Sequence, residues 1–317
     1  MSKRVFMFPG QGSQYIGMGK DIYEAYPEAR EVFELAEKVT GIDVASMCFE
    51  ENEKINITEY TQICMLTVEA ALFKVLLNKE IAYDVTAGLS LGEYGALIAS
   101  GAMSFEDAFK VVRKRGIFMQ NAVPEGGAMS AIIGLDASTI EKACEEVLAE
   151  GSKGDEKCNI PFVVSVANYN NPKQSVITGR KDAVSSAAEK CMEKGALKAV
   201  ELNVSGPFHS TLLKGAGEKL GTVLDEVTFE DIKIPYIANV NADYVSDKKD
   251  IKDLLERQVS SSVRWQQTLE RMIADGVDEF VEIGPGHSLT GFVKKIDRSL
   301  KTVNIDTLED LQKFLEN

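Results

Sequence analysis

The chain is poor in histidine, in cysteine and in positive charge. Of 317 residues two are histidine, five cysteine and one tryptophan. Two histidines leave only His209 and His287 as imidazole bases or ligands. Cys48, Cys64, Cys144, Cys158 and Cys191 are odd in number and widely scattered, with no C-x-x-C pair among them. That pattern excludes a disulfide framework or a cysteine-clamped metal site and reads as buried, reduced thiols of a cytoplasmic protein. Lysine and arginine number 35 against 49 acidic residues, a formal net charge of -14. Nucleic acid is excluded as a partner, because phosphates require a basic footprint. No run of about 18 apolar residues occurs, so no membrane span is expected. The apolar run after Met1-Ser-Lys-Arg4 ends at Pro9-Gly10 and is too short for a signal peptide.

What is present reads as a folded α/β chain. Hydrophobic residues make up 44% and charged residues 26%, an ordinary globular balance. Arg4 to Phe8 predicts a strand, stopped by Pro9-Gly10-Gln11-Gly12. Helical patterns follow over 17–26 and 27–39. A third runs over 61–78, with Ile63, Leu66, Ala70, Phe73 and Leu77 on one stripe. Residues 84–89 predict a short buried strand and 91–99 a buried helix of small residues. Ser104 predicts an N-cap for a helix to Gln120. Between Gly127 and Val200 the order becomes β-α-β-β-α-β, the ferredoxin-like order, with 151–159 as a surface loop inside it. We therefore expect a main α/β domain from residues 1–126 and 201–317, interrupted by a small subdomain over 127–200. In its second part the main domain predicts a helix over 211–227, a strand over 234–239, helices to Ala274 and a strand over 279–283.

Three stretches could carry chemistry. Gly88-Leu-Ser90-Leu-Gly92 has the G-x-S-x-G spacing between a predicted strand and a predicted helix. A nucleophile elbow needs that context and those small neighbours, and it sets the hydroxyl at a helix N-terminus. A serine N-cap in a glycine turn would look the same. Phe8-Pro-Gly10-Gln11-Gly12 is a turn after the first strand, but neither dinucleotide nor Walker spacing fits it. It is either a tight connection or a loop that offers a backbone N–H to an oxyanion. On the helix after Ser104, Phe105, Ala108, Phe109, Val112 and Met119 share a face, and Arg115 falls on its shoulder. A guanidinium beside an apolar stripe needs an anion. That anion is an internal carboxylate or a substrate's. Both histidines lie in loop-to-helix turns. The Ser, acid, His order of α/β-hydrolases favours His287, while spacing alone does not choose.

Taken together the chain resembles the malonyl-CoA:acyl carrier protein transacylase family. The resemblance rests on FPGQGSQ, GLSLGEY, KRGIFMQ, GAMSAIIGL, ANYNNPKQSVI, GPFHS, VRW and EIGPG, in that order over nearly the whole chain. It implies an α/β-hydrolase-like main domain with an inserted ferredoxin-like subdomain. It implies Ser90 as nucleophile, His209 rather than His287 as base, and Arg115 as the clamp on the malonyl carboxylate. Gln11 and Leu91 would supply oxyanion N–H groups, and the carbonyl of Gln258 would orient the base. Phe208 would disfavour an α-methyl branch. The substrate would be malonyl-CoA, the partner an acyl carrier protein, and no metal or redox cofactor would be needed. Leu89 departs from the family's usual histidine before the nucleophile, which bears on the support of the elbow. A trans-acting acyltransferase of a polyketide pathway would share these motifs. A serine esterase or thioesterase, which would not need Arg115, is the rival activity, and a carrier-binding module with a decayed site is the rival without one.

Overall fold

A computed structural model describes residues 2–151, 159–204 and 206–316. β1 (Arg4–Phe8) is followed by α1 (Lys20–Ala25), α2 (Pro27–Thr40), α3 (Val44–Phe49) and α4 (Thr58–Asn78). β2 (Val85–Gly88) leads into α5 (Gly92–Ser100) and then α6 (Phe105–Ala122). Next come β3 (Gly127–Ile133), α7 (Ala137–Glu150), β4 (Val164–Asn171), β5 (Gln174–Arg180), α8 (Lys181–Glu193) and β6 (Lys198–Glu201). After these lie α9 (Lys214–Leu224), β7 (Tyr236–Ile237), α10 (Ile251–Gln258) and α11 (Trp265–Ala274). β8 (Glu279–Ile283), α12 (Ser288–Ile296), β9 (Lys301–Ile305) and α13 (Leu308–Leu315) follow.

The strands form two separate sheets in a mixed α/β fold. One is parallel, in the order β7-β2-β1-β8-β9, and the other antiparallel, in the order β4-β5-β3-β6. A parallel sheet needs both faces covered, and β1 shows how the sequence achieves this. Its alternating side chains enter different cores. Phe6 and Phe8 pack with α4, α5 and α6 on one face. Val5 and Met7 pack with Trp265, Leu269, Met272 and Val293 on the other. Each such side chain, fully buried, contributes about 1.5–3 kcal/mol of transfer free energy. The antiparallel sheet has its own core, including Ile132, Ile140, Val147, Ile177 and Val184.

The two sheets are tied near the end of α10. Val263 donates its N–H to Ala167 O at 2.8 Å and accepts from Tyr169 N at 2.9 Å. Ser262 Oγ donates to Val166 O at 2.6 Å. Arg264 N donates to Asn239 O at 3.0 Å, just beyond β7, so the segment after Gln258 touches both halves, and a cavity lined from both lies between them.

Several expectations shift on inspection. The helix expected from residue 17 starts at Lys20, because Gly17 and Gly19 take positive φ and form turns. α3 was not expected; Asp43 caps it by accepting from Ser46 N at 2.8 Å. β4 extends to Asn171 with β-bulges after Val166 and Tyr169. The strand expected over 234–239 pairs only at Tyr236 and Ile237, and Asn239 leaves it to serve the serine turn. The helix expected over 211–227 begins as a 3-10 turn and is α-helical only from Lys214 to Leu224. α4 is not a one-sided stripe. It is buried nearly all round, while Leu77, in its last turn, is exposed. It is long and apolar enough to cross a membrane, yet 83% of that window is buried inside the fold, as in a central core helix. Cys48, Cys64, Cys144 and Cys191 are buried free thiols. Cys158 and most of the expected 151–159 loop lie outside the described residues.

Candidate active site

Ser90 sits where β2 turns into α5, with φ 55. A non-glycine residue in the left-handed region carries strain of about 1–3 kcal/mol and is held there by its surroundings. The neighbours explain why it can be. A Cβ on Gly88 would lie 1.9 Å from Gly92 O, and one on Gly92 would lie 2.0 Å from Phe8 O. Only glycine lets the first turn of α5 come this close to the ends of β2 and β1. The turn is fixed from below by Asn239. Its Oδ1 accepts from Ser90 N at 2.6 Å and its Nδ2 donates to Gly88 O at 2.6 Å.

The structure brings Ser90, His209, Arg115 and Gln258 together. Ser90 Oγ lies 2.7 Å from His209 Nε2. His209 Nδ1 lies 2.9 Å from the carbonyl of Gln258. A carbonyl only accepts, so Nδ1 carries the proton and Nε2 is left to accept from the serine. His209 is buried, also with positive φ, in the irregular turn before α9. Burial, and then the nearby Arg115 charge, hold its pKa down at about 4. The imidazole is therefore neutral, the form a base requires, across the neutral range.

Arg115 is 1% exposed and lies on the buried face of α6. Its partners are amides and a hydroxyl. Nη1 donates to Gln62 Oε1 at 2.8 Å, and Nη2 to Gln258 Oε1 at 2.9 Å and Ser90 Oγ at 3.1 Å. Nε has no partner, and among the described residues no carboxylate stands within ion-pair distance. The internal-carboxylate alternative is thereby set aside. Arg113, on the same helix, does pair with a carboxylate, that of Glu59 at 2.9 Å, and Lys114 is exposed. The Tyr94 ring lies under the Arg115 guanidinium, 5.7 Å to its centroid.

Ser90, His209, Arg115 and Gln62 line a cavity of ≈ 490 Å³ that also receives Gln11, Leu91, Phe208 and Leu89. Neither Gln11 N nor Leu91 N is taken by another group among the described residues. Ser90 N, by contrast, is committed to Asn239. The Gln11 side chain donates to Thr58 Oγ1 at 3.1 Å. Phe208 is buried beside His209 and forms part of the wall. Leu89 packs against the Gly10 turn, where its Cδ2 lies 2.9 Å from the place of a Cβ. His287 stays away: it is exposed at the N-cap of α12 and does not line the cavity. The hydrolase chain order favours His287, yet that side chain is exposed outside the cavity, while its neighbours Ser288 and Leu289 line the wall.

Three polar residues of the site were not foreseen. Gln62, Asn239 and Glu93 are all buried and all bond to the groups above. The one signal was Glu93, an acid inside a helix otherwise made of small and apolar residues.

Residues 5–309 match a family described as the acyl transferase domain. A malonyl CoA-acyl carrier protein transacylase of Bacillus subtilis (strain 168) is 45% identical over 314 residues, 98% of this chain and 96% of its own. The crystal structure of MCAT from Streptococcus pneumoniae superposes with a TM-score of 0.91 at 42% identity, covering 99% of both chains. A malonyl-transacylase solved in complex with a type II PKS acyl-carrier protein gives a TM-score of 0.93 at 39% identity, covering 100% of both chains.

Proposed function

The chain belongs to the acyl transferase domain family, and from that membership we propose that it moves the malonyl group of malonyl-CoA to the pantetheine thiol of an acyl carrier protein, supplying fatty acid synthesis. The observation that carries the reading is Arg115. A buried guanidinium with no carboxylate at ion-pair distance among the described residues stands 3.1 Å from the serine oxygen. A planar fork in that place suits an acyl group that ends in a carboxylate. An esterase or thioesterase has no use for it.

The reaction runs in two halves. His209 Nε2 takes the proton of Ser90 Oγ, and the oxygen attacks the thioester carbon. N–H groups of Gln11 and Leu91 hold the resulting oxyanion. The C–S bond breaks, coenzyme A leaves with the proton from His209, and a malonyl-serine ester remains. The carrier's thiol then gives its proton to His209 and attacks the ester. Ser90 leaves and takes the proton back. The Gln258 carbonyl keeps the imidazole in the right tautomer throughout. The atoms balance without a metal or redox cofactor. Phe208 narrows the space an α-methyl branch would need. Leu89, in place of the family's histidine, supports the elbow by packing and leaves the proton path untouched.

We read the parallel-sheet body as an α/β-hydrolase-like domain of residues 1–126 and 201–317. Residues 127–200 form the inserted ferredoxin-like subdomain, a reading supported by the strand order β4-β5-β3-β6 with α7 and α8 between strands. Buried thiols without disulfides, among the described residues, go with a cytoplasmic location.

Mass spectrometry after incubation with malonyl-CoA tests the whole reading. A malonyl adduct on Ser90 that is discharged by carrier protein, and is absent in Ser90→Ala, is the expected result. Rapid release of free malonate without transfer points to hydrolysis, and no adduct at all points to a decayed site.

A further inference from the structure

Among the buried acids that the reaction as written does not use, one bonds directly to the groups of the site. Glu93 lies in the first turn of α5 and is fully buried. One oxygen does all its bonding. Oε2 accepts from Gln258 Nε2 at 2.7 Å and from Asn239 N at 3.2 Å. Oε1 has no partner. Both partners reach onward. Asn239 holds the Ser90 turn. Gln258 Nε2 also donates to Ser90 O at 2.9 Å, while its Oε1 receives the Arg115 fork.

A primary amide has a donor end and an acceptor end. What holds one end decides what the other presents. Glu93 accepts from the NH₂ end of Gln258, so the oxygen end must face Arg115. Without Glu93 only Ser90 O restrains the amide. A flipped amide would set N–H groups against the guanidinium, and the fork would lose its seat.

We propose that Glu93 is a positioning residue for malonyl selection: it fixes the Gln258 amide with its oxygen on Arg115, and so aims the guanidinium at the substrate carboxylate. The inference rests on the transferase reading of the site. Burial lifts the Glu93 pKa to about 7, against the pull of Gln258, Asn239 and Arg115. A proton taken up on the free Oε1 leaves both bonds at Oε2 in place. The device works through an accepting oxygen rather than through charge, and a glutamine can imitate it.

The test compares Ser90 acylation by malonyl-CoA and by acetyl-CoA, as kcat/KM, in wild type, Glu93→Gln, Glu93→Ala, Arg115→Ala and the double variant Glu93→Ala/Arg115→Ala. Glu93→Ala is expected to lose roughly 10-fold or more with malonyl-CoA and much less with acetyl-CoA, as one bond to a charged group disappears. Glu93→Gln should stay within about 3-fold of wild type. In the Arg115→Ala background, removing Glu93 should cost little more, since the two act in series. Equal losses with both thioesters, multiplying losses in the double variant, or a glutamine no better than alanine would each overturn the proposal. Should Glu93→Ala not fold, Gln258→Leu keeps the carbonyl on His209 and must show the same malonyl-selective loss; an unselective loss there overturns it equally. Absence of any malonyl adduct on wild-type Ser90 would instead sink the transferase reading, and this inference with it.

Discussion

At the scale of single residues, the base is what spacing could not decide. His209 lies in an irregular turn with positive φ, beyond the end of β6 and before α9. No sequence period announces such a position, and only the resemblance of GPFHS singled it out. The geometry separates the two histidines by environment. His209 is buried at 2.7 Å from Ser90 Oγ, whereas His287 is exposed and away from the cavity. We expect His209→Ala to lose about 10²–10⁴-fold in single-turnover acylation, the usual worth of a general base, and His287→Ala to lose little. The same burial sets the pH dependence. Below about 4 the imidazole takes a proton and can no longer accept from serine. The kcat/KM for malonyl-CoA should therefore hold level from neutral pH down to about 5, where an unperturbed histidine would already have cut it severalfold. An acid limb near 6.5 would show that His209 is solvated in the working enzyme. Arg115 was legible as an oddity, but its amide partners were not. Gln62 and Gln258 lie 53 and 143 residues away from it, and no local pattern couples positions so distant.

At the scale of elements, the sequence was clearest where local chemistry alone decides. β8 was expected over 279–283 and forms there. Ser104 was expected as an N-cap, and its side chain accepts from Asp107 N at 3.0 Å. The strand, turn and helix around Ser90 were legible because glycines and small residues mark a close approach whatever the tertiary context. What stayed hidden depends on distant partners. β7 shrinks to two residues because Asn239 is drawn to the elbow, and α3 is too short to show a period. The elbow supplies a prediction about elements. Gly92 has no positive φ, so it is glycine for closeness, not for backbone freedom. Gly92→Ala must push α5 off the end of β1, and we expect it to destabilise by about 1–3 kcal/mol or more, as overpacking does. Gly215, also helical, has nothing within 4 Å of a Cβ. Gly215→Ala should stabilise by about 0.4–1 kcal/mol through the unfolded chain. Urea midpoints of the two variants moving in the same direction would refute this account of the α5 contact.

At the scale of the whole molecule, the parallel-sheet body closes over a buried acid that no reaction step uses. Glu69 on α4 is fully buried, and among the described residues both its oxygens are unpartnered. It is pressed between Gly95 of α5 and Gly284 after β8, where a Cβ would come within 3.1 Å and 2.9 Å of it. Glu282 stands nearby, but its carboxylate is satisfied: it accepts from Leu289 N at 3.0 Å and Thr290 N at 2.8 Å at the start of α12. The two acids thus divide their roles. Glu282 is held by the helix N-terminus against burial that still raises it, while burial, and then the Glu282 charge, raise Glu69 well above the usual carboxylate range. The sign for stability follows. Above about pH 4.3 the unfolded chain has released this proton and the folded chain keeps it. Folding then binds a proton, and stability falls as pH rises, by up to about 1.4 kcal/mol per pH unit, until the folded group itself ionises. Glu69→Gln does not titrate. The net charge of -14 makes both proteins repel themselves more as pH rises, and that shared term cancels in their difference. We expect the Tm of Glu69→Gln, measured against wild type, to rise as pH rises above about 5 and to level off only where the folded group ionises, by roughly 2 °C for each kcal/mol. Glu282 shifts in the same direction, so the variant keeps a smaller slope of its own. Parallel Tm curves would mean that Glu69 is ionised in the folded protein, and that a partner inside the body meets its charge.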